Sequence, residues 1–357
     1  MAVDGVVVYA FVGTLSIFSL ILTARLVVRR LEAVAKSHGI SEVVIGMTVV
    51  SIGTSLPEIA AHLVASYQIV AGLGDSRVLS ATVLGGNIGS DVVQQTLVLG
   101  LVVLMVGGFQ FSKKFLVRDY GPMIGTTLVT LLLSWDGSIS RLDGAILLTL
   151  FVAYMYYLYT TRTEVLQKQG ETPPSDDPRR DTVVALGALV ALVVSAHFLL
   201  QAAEFFVERT ALQGSLVGVL VLGIGSASPE MTTAITGLRE GAEGISLGTL
   251  IGSNITNPLF GIGIGALIST YSVPKPLVYW DLPMETVTAA VLLTYLLTKD
   301  DVGRHLARVA GALGLDGARD RLESVQERRL GRVGAGLLVL MYFVYLFVRI
   351  TYFPHDF

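Results

Sequence analysis

Apolar runs of about 20 residues recur along most of the chain, separated by short polar or charged stretches. A helix needs about 20 apolar residues to cross the hydrocarbon core of a bilayer. Ten runs meet or approach that length: 5–24, 43–70, 78–107, 119–135, 143–160, 182–206, 215–238, 246–270, 284–298 and 333–350. The second, third, seventh and eighth are rich in Gly, Ser, Thr and Asn and contain carboxylates, which is unusual for lipid-facing helices. Asp4 precedes the first run and no basic residue does, so that run reads as a retained helix rather than a cleaved leader.

Two hydrophilic segments interrupt the pattern. Residues 161–181 hold Pro173, Pro174 and a cluster of charges, the composition of a flexible linker between two halves, 1–160 and 182–357. Residues 299–332 read as a solvated cytoplasmic loop. Within it, Leu306, Val309, Leu313, Leu322 and Val325 would also suit an amphipathic helix lying on a membrane surface.

Charge orients the runs. With ten crossings and the N-terminus outside, 20 of the 25 lysines and arginines fall on the inner side, in Arg25–Lys36, Lys113–Arg118, Arg162–Arg180, Arg239 and Lys299–Arg332. Arg77, Arg141, Arg209, Lys275 and Arg349 remain outside. This is the bias of the positive-inside rule, and it predicts a cell-membrane protein with both termini outside. The composition agrees: of 357 residues, 52% are hydrophobic and 15% charged, against about 25% charged in soluble domains. A net charge of −3 gives no reason to expect a nucleic-acid partner, and the absence of cysteine excludes disulfides and thiolate metal sites. No obligate protein partner and no resident cofactor are implied.

The polar runs contain an internal repeat. GMTVVSIGTSLPEIAA from Gly46 aligns with GVLVLGIGSASPEMTT from Gly218 at an offset of 172, pairing Gly53 with Gly225, Pro57 with Pro229 and Glu58 with Glu230. Downstream, Gly85, Gly89 and Ser90 pair with Gly248, Gly252 and Ser253 at an offset of 163. The repeats, about 43–107 and 215–270, begin five crossings apart and so run in opposite directions. The prediction is an all-α membrane protein of ten transmembrane helices in two inverted-topology five-helix repeats, with a site near the midplane where the repeats meet.

The chemistry of the repeats points to a hard cation. Glu58 and Glu230 fall midway along their runs, where an ionisable group costs about 2.5–3.5 kcal/mol on insertion scales. Two such groups facing each other repel unless a cation or proton lies between them. Pro57 and Pro229, with Gly53 and Gly225, should break their helices and free carbonyls, which a membrane tolerates only where they line a cavity. Hydroxyls of Ser51, Thr54, Ser55, Ser226, Ser228, Ser90 and Ser253 and the amides of Gln94 and Asn257 complete a set of oxygen ligands suited to calcium or sodium rather than zinc or copper. The small-residue pairs Gly85–Gly89 and Gly248–Gly252 should let helices pack closely.

At these residues the sequence resembles the cation/calcium exchanger superfamily, specifically its prokaryotic sodium/calcium exchanger-like members. GTSLPE at Gly53–Glu58 and GSNITN at Gly252–Asn257 are similar to the alpha-repeat signatures of that family. The resemblance spans all ten runs and implies antiport of Ca2+ against Na+ by alternating access. It implies that Glu58 and Glu230 bridge the central ions, with Thr54 and Ser226 one turn earlier, carbonyls of Ser51 and Gly223, the hydroxyls of Ser55, Ser90 and Ser253, and Gln94 and Asn257 as further ligands. The chain departs from the pattern at Ala227, which stands where Ser55 keeps a hydroxyl, and at Asp91 and Gln94. Ala227 and Gln94 bear on the sodium ligands, so a proton-driven antiporter of Ca2+ or another divalent cation is the second reading.

Other residues are weighed singly. Asp91 reads as a packing or capping residue, with an extra carboxylate near the ion path as the alternative. His62, one turn after Glu58, reads as a hydrogen-bonded core histidine, with a proton relay as the alternative. Asp281 and Glu285 read as solvated helix ends. Two other classes, an intramembrane serine hydrolase and a passive cation channel, explain the duplicated glutamate less well.

Overall fold

The computed structural model describes residues 2–38, 51–111, 116–161, 174–210, 212–239, 243–312 and 329–357. Residues 43–50 of the second run, most of the 161–181 linker and 313–328 of the long loop lie outside the described residues, as does the side chain of Ser51.

Each of the ten runs coincides with helix. In chain order they are α1 (Ala2–Ser37); α2 (Ser51–Thr54, then Leu56–Ala71); and α3 (Ser76–Val93, a π turn Gln94–Val98, then Leu99–Val106). Next come α4 (a π turn Leu116–Tyr120, then Gly121–Leu133), α5 (Arg141–Thr161) and α6 (Pro178–Arg209). α7 comprises Gly214–Val217, a π turn Gly218–Gly223, Ile224–Ser226 and then Ser228–Arg239; α8 comprises Glu243–Thr256, a π turn Asn257–Ile262 and Gly263–Ile268. The last two are α9 (a π turn Leu277–Asp281, then Leu282–Ala312) and α10 (Arg332–Tyr352). Among the described residues, α1, α3, α5, α6, α7, α8 and α10 are long and apolar enough to cross a membrane, and Gly121–Leu133 is a shorter apolar helix.

The distribution of side chains is inverted relative to a soluble protein. Phe11, Leu15, Phe18 and Leu22 of α1, and Leu337, Leu340, Phe343 and Phe347 of α10, form exposed apolar stripes at helical spacing. Glu58, Asn87, Ser90, Asp91, Gln94, Glu230, Asn254 and Asn257 are buried instead. A bilayer solvates the first set, and only protein or a cavity can accommodate the second.

Helix packing repeats between the halves. α1 lies along α6; α10 packs on α3 as α5 packs on α8. Two antiparallel two-stranded ladders follow the same symmetry. β1 (Gly108–Gln110), after α3, pairs with β4 (Arg329–Gly331), before α10, with Phe109 opposite Leu330. β2 (Ser138–Ile139), before α5, pairs with β3 (Tyr271–Ser272), after α8. Exchanging the halves converts one ladder into the other. Each ladder also joins loops separated by an even number of the ten helices, as the inverted-repeat topology requires. Nothing in the composition of these short segments singles them out as strands, so they are legible only in the fold.

The centre is close-packed where α3 crosses the first half of α7. A Cβ on Gly85 would meet the carbonyl of Ser215, one on Gly218 the carbonyl of Thr82, and one on Gly89 the Cα of Val219 at 2.7 Å. The close approach expected of Gly85–Gly89 is therefore present, and its partner is α7. Gly248 differs: a Cβ there meets nothing within 4 Å, so the spacing of the second pair does not report contact at that residue.

The helix ends shift from expectation for local reasons. α6 starts at Pro178, with proline in its first turn and the Asp177 carboxylate accepting the Arg180 N–H at 3.1 Å as an N-cap. Asp181 then binds Arg30 of α1 at 2.7 Å. α9 runs on to Ala312, so the first part of the 299–332 segment is helix rather than loop. Substituting Gly218→Val should cost about 1–3 kcal/mol through overpacking against backbone, while Gly248→Ala is tolerated. Thermal unfolding of the purified protein, followed by size-exclusion chromatography, distinguishes the two.

Candidate ion site

Each repeat brings one broken helix to the centre. In α2 the turn at Ser55 (φ −86°, ψ 6°) separates the two pieces; in α7 the turn at Ala227 (φ −68°, ψ −7°) does so. Pro57 and Pro229 account for the breaks, since neither has an N–H for the carbonyl four residues back, at Gly53 or Gly225. The helices restart at once: Ile59 N–H donates to Ser55 O and Met231 N–H to Ala227 O, both at 3.0 Å. Gly223, expected to offer a free carbonyl, accepts the Ala227 N–H at 3.2 Å. The carbonyls that the prolines deprive of a donor are those of Gly53 and Gly225.

The restart places Glu58 and Glu230 in the first turn of their second helical pieces, where the helix dipole favours a carboxylate. Glu58 is 4% exposed and Glu230 not at all. Ser90 donates to Glu58 Oε1 at 3.0 Å. Glu58 Oε2, both oxygens of Glu230, and the hydroxyls of Ser55 and Ser226 are buried without a hydrogen-bond partner among the described residues. Glu230 lies within electrostatic reach of Glu58, and Ser226 beside it. Thr54 is half-buried at the end of the first piece of α2. Glu58, Asn87 and Ser226 also share the wall of a small cleft that is otherwise mostly apolar. Among the described residues no three carboxylates or imidazoles converge on one point, so a cation held here would be shared between carboxylate and neutral oxygens.

α3 and α8 are clasped just beyond the glutamates. Asn257 Nδ2 donates to Asp91 Oδ1 at 2.8 Å, and Asn254 Nδ2 to Gln94 Oε1 at 3.0 Å. The repeat offset of 163 pairs Asp91 with Asn254 and Gln94 with Asn257, so the two bonds are symmetry mates. Asp91 is thus a buried packing residue rather than a cap. Gln94 breaks the symmetry. It donates to Ser90 at 3.0 Å, and its Oε1 also accepts the Ser253 hydroxyl. Ser253 is drawn to Gln94 and does not donate to Glu230, whereas its counterpart Ser90 donates to Glu58. Asn257, one methylene shorter, keeps its Oδ1 unpartnered. The π turns Gln94–Val98 and Asn257–Ile262 begin at these two amides, and such bulges are frequent at functional sites.

With this geometry in view, the match to known proteins is specific. The family model for the sodium/calcium exchanger protein covers residues 8–160 and 181–351. The chain belongs to this family. Inner membrane protein YrbG of Escherichia coli is 32% identical over 258 residues, covering 68% of this chain and 74% of YrbG. Sodium/calcium exchanger MaX1 of Methanosarcina acetivorans is 23% identical, covering 78% and 88%. The crystal structure of an H+/Ca2+ exchanger, CAX, superposes with a TM-score of 0.72 at 16% identity, covering 97% of this chain and 84% of that one. The sodium-calcium exchanger NCX_Mj gives 0.57 at 20%, covering 96% and 98%. The protein is therefore a multi-pass integral membrane protein of the cation/calcium exchanger superfamily, and its relatives are transporters rather than enzymes.

Within that family frame, His62 is a core residue of this exchanger. It is 1% exposed, with Nε2 facing the Asn87 amide at 3.2 Å and Nδ1 facing the Tyr271 hydroxyl at 3.1 Å. Tyr271 in turn contacts Ser66 at 2.6 Å, tying α2 to the β3 ladder. Asp281 and Glu285 are not solvated ends. α9 begins seven residues before position 284, with the π turn Leu277–Asp281, and this carries both carboxylates inward. Asp281 pairs with fully buried Arg349 at 3.1 Å, and Glu285 accepts from Thr127 at 2.8 Å. Hydropathy alone could not reveal this, because the partners lie on α10 and α4. Substituting His62→Gln should lower stability by about 1–3 kcal/mol through lost buried hydrogen bonds and leave the pH profile of transport in place. A displaced profile would identify His62 as a relay instead.

Proposed function

We propose that the protein is a secondary antiporter that moves Ca2+ against Na+ by alternating access, with Glu58 and Glu230 holding the central ion. The observation that carries the reading is the set of five buried oxygens without hydrogen donors, contributed by Glu58, Glu230, Ser55 and Ser226 from two hinged, symmetry-related helices. Hard oxygen donors of this kind suit calcium, which takes about 6–8 of them, and carbonyls at the hinges add to the number. Thr54, Ser90, Ser253, Asn257 and the backbone of Ser51 and Gly223 are the remaining ligands on this reading. Glu58 and Glu230 hold either one calcium or a set of monovalent ions. Exclusion by charge and space couples the two fluxes, and the site changes sides only when its negative charge is compensated. Ten crossings, both termini outside, and two five-helix halves at 1–160 and 182–357 in a cell membrane complete the proposal.

Proton coupling is the second reading, and two residues favour it. Gln94 has both amide atoms committed to Ser90, Ser253 and Asn254, which leaves it poorly placed as a sodium ligand. Ala227 lacks the hydroxyl that Ser55 supplies. Relatives of both kinds exist, since MaX1 is named a sodium/calcium exchanger and CAX an H+/Ca2+ exchanger.

The test is calcium uptake into proteoliposomes preloaded with sodium and diluted into sodium-free buffer, with a matched outward proton gradient as comparison. Uptake driven by sodium is the expected result, and Glu58→Gln and Glu230→Gln each abolish it. Uptake driven only by protons transfers the protein to the second reading, and full uptake in either variant overturns the site assignment. If exchange moves net charge, uptake responds to voltage at about 2.3 kcal/mol per charge per 100 mV.

A further inference from the structure

Another of the buried carboxylates, Glu285, lies away from the central pair. Glu285 of α9 is 2% exposed. Its Oε1 accepts from Thr127 Oγ1 of α4 at 2.8 Å and from Gln95 Nε2 of α3 at 3.1 Å. Gln95 Nε2 also donates to Asn254 Oδ1 of α8 at 2.8 Å, so side chains from four helices meet here. Two neutral donors orient a carboxylate but do not cancel its charge, and isolated charges are costly in a low-dielectric interior. Among the described residues no basic side chain pairs with Glu285; the buried Arg349 is committed to Asp281 and Asp356. The charged groups facing this region are Asp91 of α3, which senses Glu285, and Asp281 one turn earlier on α9.

A second cavity, with room for about one water-sized sphere, adjoins this cluster through Gln95 and Asn254, with Glu285 behind Gln95 rather than in its wall. Gln94, Gln95, Tyr120 and Asn254 supply its polar wall. Among the described residues, Gln95 Oε1 and the Tyr120 hydroxyl are buried without hydrogen-bond partners, and their residues are 5% and 2% exposed. The orientation of the Gln95 amide is fixed by chemistry: Nε2 must face the two acceptors Asn254 Oδ1 and Glu285 Oε1, which leaves Oε1 as a free acceptor.

We propose that this cavity, with Gln95 and Tyr120 in its wall and Glu285 supplying charge from behind Gln95, is a second cation site, lateral to the central pair, that takes one alkali cation such as Na+. Glu285 supplies the nearest negative charge and neutral oxygens complete the shell, a set that suits a small alkali cation. The site communicates with the centre through an unbroken hydrogen-bonded chain. Gln95 links Glu285 to Asn254, Asn254 donates to Gln94, Gln94 donates to Ser90, and Ser90 donates to Glu58. A cation that draws on Gln95 Oε1 therefore acts on a chain of hydrogen bonds that ends at Ser90, the serine donor of Glu58. The site itself does not depend on which ion the central pair transports.

The test is equilibrium binding of radioactive Na+ to the purified full-length protein. In the Glu58→Gln, Glu230→Gln double variant, one saturable Na+ per chain should remain, and adding Glu285→Gln should remove it. Tyr120→Phe deletes a single hydroxyl and should weaken one class of Na+ binding by about tenfold in the otherwise unaltered protein, the worth of one good hydrogen-bonding or ligand group. It also serves where a triple variant does not fold. The proposal is overturned if the double variant binds no Na+, if its residual binding survives Glu285→Gln, or if Tyr120→Phe leaves the Na+ titration unchanged. Because these readouts are binding and not flux, their failure leaves the calcium-antiport reading intact, and failure of that reading leaves these readouts interpretable.

Discussion

Two carboxylates buried close together in a membrane interior, with no basic side chain among the described residues paired to either, form the constraint on which the rest of this structure depends. Each ionised group opposes burial, and the pair opposes itself. Among the described residues, hydrogen-bond geometry partners one of the four carboxylate oxygens, Glu58 Oε1, through Ser90, with the Ser226 hydroxyl beside Glu58. The hinges at Ser55 and Ala227, the prolines that cause them and the hydroxyls beside them all bring further oxygens, not positive charge, toward the same place. Such a centre is stable only when a cation or proton completes it, and this couples occupancy to conformation on the proposed reading.

The inverted repeat supplies two copies of each part, but the copies are not equivalent. The bonds Asn257–Asp91 and Asn254–Gln94 obey the two-fold relation, as do the two strand ladders and the packing of α10 on α3 and α5 on α8. The extra methylene of Gln94 lets it reach Ser90 and Ser253 together, so Glu58 has a serine donor and Glu230 none.

Much of this was legible in the sequence. Among the described residues each hydropathic run coincides with helix, and the register of Gly, Pro and Glu across the repeats located the hinges and their carboxylates. What sequence could not supply was whatever depends on a partner from another helix. Asp281 and Glu285 look like helix ends until Arg349 and Thr127 are placed against them. His62 reads as a hydrogen-bonded core histidine from the sequence, but its partners, Asn87 and Tyr271, are identified only by the fold. The π turns at Gln94 and Asn257 have no signature in composition, and the carbonyl of Gly223 reads as free until Ala227 is seen to donate to it.

The central claim is that a cation stabilises a centre which two uncompensated glutamates otherwise destabilise. Thermal unfolding of the purified protein over a calcium titration tests it most directly. Anything that binds only the folded state raises stability by RT ln(1 + [L]/Kd), about 2.7 kcal/mol at one hundred times Kd. The account predicts that calcium raises the unfolding midpoint of the unaltered protein. It also predicts that Glu58→Gln and Glu230→Gln remove that response while unfolding at a higher temperature than the calcium-free parent. A calcium response that persists in both variants, or variants less stable than the calcium-free parent, would contradict it.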